Sequence, residues 1–173
     1  MSRRFVSLLA GAGLATGISD GLFATVLSVF FYHSTFTRLW QGVASVLIGK
    51  ESFAGGARTV ALGLLMHFGV AFFWSGVLLF FATRLPRLRK LLSSAIGRLT
   101  VASVYGPAIW IVMSMIVIPL LLKRPPVITS RWWVQGIGHI PFVAMPMATV
   151  FGYGLAERAC VDVDDRAAVV VDG

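Results

Sequence analysis

The chain has 173 residues, of which 57% are hydrophobic and only 13% charged, with a net charge of +8 and a mean hydropathy of +0.85. A soluble domain carries about 25% charged residues, so the composition excludes the ordinary soluble and disordered classes and points to lipid as the solvent. A single cysteine, Cys160, excludes an internal disulfide and argues against a membrane dithiol enzyme.

The chain begins MSRRFVSLLAGAGLA, two arginines and then an apolar run. The run continues to Tyr32, well past the ~7–15-residue core of a secretory signal, and no polar segment marks a cleavage site. Residues 5–32 are therefore read as a first membrane span. Gly13, Gly17 and Gly21 stand four apart in it, the spacing that lets helix backbones approach closely. Asp20 lies between the last two.

His33 to Gly56 is too polar to span. Within it Phe36, Leu39, Trp40, Val43 and Leu47 share one helical face. The spacing predicts an amphipathic helix over 35–48, lying in the membrane interface with Trp40 at headgroup level; a re-entrant segment is the alternative.

Leu62 to Ala82 is the strongest signal in the chain. It has no charged side chain unless His67 is protonated. At about 1.5 Å per residue it reaches ~30 Å, the thickness of a hydrocarbon core. The second span is placed at 57–83. Arg84, Arg87, Arg89, Lys90 and Arg98 follow as a basic loop. Contact with anionic lipid headgroups is expected of Arg84, Arg87, Arg89 and Lys90. No aromatic platform accompanies these charges, so nucleic acid is not an expected partner.

The third span is placed at 99–122 and contains Pro107 and Pro119. Trp132 and Trp133 form an expected aromatic belt pair. The fourth span, 133–156, contains Pro141 and Pro146, which are expected kink sites. Residues 159–173 are rich in aspartate and are read as a flexible acidic tail.

The expected fold is thus all-α: a polytopic membrane protein with four transmembrane helices and one interfacial helix between the first two. It forms a single domain over 1–158. Lysine and arginine number nine on one side and six on the other, which favours cytoplasmic N- and C-termini. The expected partners are the bilayer and its anionic headgroups, with a homo-oligomer or a larger membrane complex left open.

Ionisable residues inside membrane helices are expensive and raise a functional hypothesis by default. Asp20, His67 and His139 lie in the first, second and fourth spans. Counted from one side at ~1.5 Å per residue, Asp20, His67, Ser114 and His139 lie about 18, 15, 12 and 9 Å deep, which allows a shared polar layer. An Asp–His pair can form a structural network, a proton or ion site, or, with two histidines, a haem or metal site. No His-x-x-x-His spacing marks a metal site, and no cofactor is expected. There is no phosphate loop, nucleophile elbow or zinc-protease motif, so no catalytic residue is assigned. Ser75 and Ser114 are read as helix-packing hydroxyls. One internal echo stands out: each half of the chain carries a polar residue followed by a histidine, Asp20 with His67 and Ser114 with His139. A parallel repeat of two hairpins would produce it.

The order LLMHFGVAFFWSGV, a basic loop, Ile118-Pro119-Leu120, Pro125-Pro126, a tryptophan pair, Gly138-His139 and Glu157-Arg158 resembles the YagU-like group of small, uncharacterised bacterial inner-membrane proteins. The likeness covers roughly Ala57 to Arg158. Gly17-Ile-Ser-Asp20 matches a Gly-x-x-Asp element of related sequences. Ser114 stands where they often carry Asn or His before Pro-Leu. The resemblance implies a bacterial inner-membrane location and no particular reaction. Together with the residues it leaves a non-enzymatic structural, accessory or stress-related component as the first expectation. A small proton- or ion-coupled transporter acting as an oligomer is the alternative. A bis-His haem- or metal-binding subunit is the third.

Overall fold

The computed structural model describes Arg3 to Leu155, and among these residues every regular element is helical. The elements are α1 (Arg3–Val26), α2 (Phe36–Ile48), α3 (Gly56–Arg84), α4 (Pro86–Leu92), α5 (Ala95–Ile111), α6 (Ile118–Leu122) and α7 (Ser130–His139). Four continuous helical stretches are long and apolar enough to cross a membrane: Arg3–Phe31, Gly56–Arg84, Ala95–Leu122 and Ser130–Leu155. The chain is by this measure a multi-pass membrane protein. Large apolar side chains such as Phe30, Leu65 and Val104 are about 70% exposed, the pattern of helices whose outer faces meet lipid. The acidic tail expected at 159–173 lies outside the described residues.

The third span starts four residues before its expected position, because Ser94 caps it: the Gly97 amide donates to Ser94 Oγ at 3.0 Å. The basic loop is not simply a loop. Pro86 fits the first turn of α4, where its missing N–H loses no helical bond. Prolines do not break the last two spans. π turns lie at Val112–Val117, before Pro119, and at Ile140–Ala144, which contains Pro141, while Pro107 and Pro146 stand in α-helical backbone. A third π turn, Leu27–Phe31, ends the first span.

Successive spans run antiparallel. The glycines of α1 receive aromatic rings where their spacing predicts a neighbouring backbone: Phe72 seats on Gly13 and Phe68 on Gly17, with no room for a Cβ at either. Between the third and fourth spans, Gly106 lets α5 approach the His139 carbonyl. The first and fourth spans are tied by Thr16 Oγ1, which donates to Val143 O at 3.2 Å, and by Arg4 Nη2, which donates to Gly154 O at 3.0 Å. The seam between the second and third spans is filled by bulk instead. Tyr105 donates to Trp74 O at 2.7 Å, with the two rings 6.1 Å apart.

A helix forms within one residue of the limits expected for the interfacial segment, and it is docked on the bundle. α2 packs closely along α3 and also touches α6. The Trp40 carbonyl sits against Gly63, where any Cβ would collide with it. Trp40 is 2% exposed, so its indole enters the bundle and is not presented on its surface. The apolar face is thus shared: Trp40 packs on α3 at Gly63, while Phe36 and Leu47 stay exposed.

The apolar core fills the half of the bundle near Arg3, here called the basic end. Leu79, Leu92, Met147 and Phe151 are all 0% exposed there. The core stops at Ile109, Val143 and Met147, which also form the floor of a cavity.

Candidate functional site

The cavity lies in the half of the bundle away from the basic end. It has a volume of about 260 Å³ and is lined by residues of all four spans and of α2. Asp20, His67 and His139, from three different spans, all face it. The site is an apolar space with three ionisable groups set in its wall.

His67 is fixed by the first span. Gly21 leaves room for its imidazole and for Trp40 together. Its Nε2 lies 2.9 Å from Gly17 O, and a carbonyl only accepts, so Nε2 carries the proton. Nδ1 then faces Asp20 Oδ2 at 3.8 Å, too long for a hydrogen bond. With a neutral imidazole and an ionised carboxylate, this contact sets two acceptors face to face. One added proton turns it into an attractive pair. Trp40 meets the His67 ring at 5.0 Å and Phe68 at 5.6 Å, both edge-on.

His139 sits at the junction of α7 and its π turn. Its Nδ1 donates to Gln135 O at 2.7 Å, leaving Nε2 as the lone-pair nitrogen. Trp110 covers the ring at 4.9 Å. Both histidines therefore use their N–H on backbone carbonyls. The ionisable groups thus present acceptors to the cavity, the Asp20 carboxylate and two imidazole nitrogens, beside the Gln135 amide, which both donates and accepts.

Ser114 does not join this group. Its Oγ accepts from Trp132 Nε1 at 2.9 Å and lines no part of the cavity, so the polar echo of the two hairpins does not extend to the site. The belt pair is likewise divided. Trp132 is half-buried against Trp110 and Ser114, whereas Trp133 is 60% exposed. At the basic end, Arg84, Arg87, Arg89 and Lys90 are all exposed; Arg84 lies over the Phe80 ring at 5.1 Å. Arg98 is used internally, donating to Leu92 O at 3.3 Å and lying over the Tyr153 ring.

Sequence reasoning missed Trp74, Trp110 and Gln135 as lining residues. A signal existed: Trp74 stands seven residues after His67 and Gln135 four before His139, so each shares a helical face with its histidine. Trp40, Trp74 and Trp110 have a further property in common. Their indole nitrogens are covered by the protein and find no hydrogen-bond partner in it. What the cavity meets of these three side chains is ring carbon. Among the described residues, no three His, Cys, Asp or Glu side chains converge as a metal-ligand set. No family model, curated protein or solved structure matches the chain.

Proposed function

We propose that this is a non-enzymatic membrane protein that holds a small ligand or protons in the central cavity through Asp20, His67 and His139. The observation that carries the reading is the convergence of ionisable groups from three spans on one space of about 260 Å³. A purely structural network would close such a gap with hydrogen bonds. Here the Asp20–His67 contact is left at 3.8 Å and both imidazoles keep a lone pair. Membership of the YagU-like group, a bacterial inner-membrane location with cytoplasmic termini, and headgroup contacts by Arg84, Arg87, Arg89 and Lys90 belong to the same proposal. They rest on the sequence motifs, the lysine and arginine asymmetry and the exposure of those four side chains.

Thermal unfolding of purified protein between about pH 5 and 8, the range in which imidazoles titrate, tests this reading. The wild type is expected to show a pH-dependent transition that Asp20→Asn and His139→Ala each alter in shape. Three profiles that differ only by a constant offset would reduce the polar residues to packing elements.

A second reading, a proton- or ion-coupled carrier, is favoured by one observation. π turns at Val112–Val117 and Ile140–Ala144 contribute Met113 and Val143 to the cavity wall, and such turns recur at functional sites. Proton flux in liposomes that is lost in Asp20→Asn would select it. The haem reading draws the least support. The cavity is smaller than the ~300–1,000 Å³ typical of sites for drug-sized ligands, and a porphyrin is larger still.

A further inference from the structure

We infer that the cavity takes a small organic ammonium ion, a compact cation with a few apolar carbons; this specifies the ligand class and rests on the binding role proposed above. Three features of the wall point the same way. Among the described residues Asp20 is the one carboxylate on it, and its side chain keeps 21% of its surface open. Each histidine spends an N–H on a backbone carbonyl, Gly17 O or Gln135 O, and in that tautomer turns a lone pair to the cavity. Trp40, Trp74 and Trp110 present ring carbon, with their N–H groups covered. A ligand that suits this wall donates hydrogen bonds, carries positive charge and has apolar surface.

An ammonium ion meets each requirement. Its N–H groups and charge are complementary to the carboxylate and the imidazole nitrogens. Its alkyl groups lie against tryptophan, the strongest of the aromatic rings for a cation because of the negative potential over its face. An anion would face the Asp20 carboxylate and two lone pairs, with the Gln135 amide as a donor but every indole N–H covered. A bare metal ion would leave the ring carbon unused and would lack a third protein ligand, since no such set converges among the described residues. The volume of about 260 Å³ restricts the ion to a small one.

Three probes share one tert-butyl group: tert-butylammonium, the nearly isosteric uncharged tert-butanol, and the somewhat larger anion pivalate. Binding to the detergent-purified full chain is followed by tryptophan fluorescence and by the shift in unfolding temperature. Saturable binding is expected for tert-butylammonium, at least ~10-fold tighter than for tert-butanol, and none for pivalate. A ratio of that size corresponds to the energy of one desolvated cation–aromatic contact. Asp20→Asn should weaken the ammonium ion ~10-fold or more. Trp110→Phe, which keeps an aromatic ring, should weaken it a few-fold and leave the unfolding temperature near that of wild type. Equal binding of tert-butanol, preferential binding of pivalate, or no saturation by any probe would overturn the inference. The reading beneath it fails separately. If the pH profile still depends on Asp20 while no ammonium binds, the cavity is a proton site and only the ligand class is wrong. If neither is seen, both fall.

Discussion

In the half of the bundle next to Arg3, the four spans enclose Leu79, Leu92, Met147 and Phe151, all 0% exposed. In the other half the same spans surround a cavity of about 260 Å³ with Asp20, His67 and His139 in its wall. The seams between the spans also differ from one another. Glycine at 13, 17 and 106 draws the first span onto the second and the third onto the fourth. Trp74 and Tyr105 hold the second and third spans apart, and α2 packs beside that opening from α3 to α6. One half is built for rigidity. The other keeps space at the cost of leaving polar groups incompletely paired.

Substitutions that treat the halves differently test this contrast. Phe151→Ala removes a fully buried ring from the packed half and should destabilise by about 3 kcal/mol, the lower end for such truncations; within lipid the loss is mainly packing. Gly63→Val drives a side chain into the Trp40 carbonyl and should cost about 2 kcal/mol or more by overpacking. It should also loosen α2, which limited proteolysis in the 49–54 connection would reveal. Trp132→Phe deletes the bond to Ser114 and should cost about 1 kcal/mol, with ligand binding in the cavity unchanged. Met66→Ala only widens an existing space and should cost less than ~1 kcal/mol. Equilibrium unfolding in detergent measures all four. If Met66→Ala costs as much as Phe151→Ala, the cavity half is as tightly packed as the other and the contrast fails.

Much of this plan is legible in the residues. The four spans follow from runs of apolar side chains of bilayer length, and the second, expected at 57–83, forms at Gly56–Arg84. The glycine spacing of the first span announces its seam with Phe68 and Phe72. Asp20, His67 and His139 stand out because each is an ionisable group in an apolar run. The setting of α2 is not legible. Its apolar face is compatible with lipid and with protein, and Gly63, which seats the Trp40 carbonyl, lies in the next span. The exclusion of Ser114 is equally tertiary: the depth count places it near the polar layer, but the indole of Trp132 takes it elsewhere. The π turns escape prediction because proline signals only a missing donor, not how the helix will absorb it. Of the cavity tryptophans, Trp40 carries an interfacial signal in the sequence, whereas Trp74 is marked by its helical phase relative to His67 and Trp110 by neither.

The central claim is that the ionisable groups act on one another across the cavity, and a double-mutant cycle between Asp20→Asn and His67→Gln measures this most directly. The Asp20–His67 distance of 3.8 Å predicts a coupling above ~0.5 kcal/mol in unfolding free energy, as for residues in contact. Effects that add to within ~0.3 kcal/mol, as for independent sites, would contradict the account.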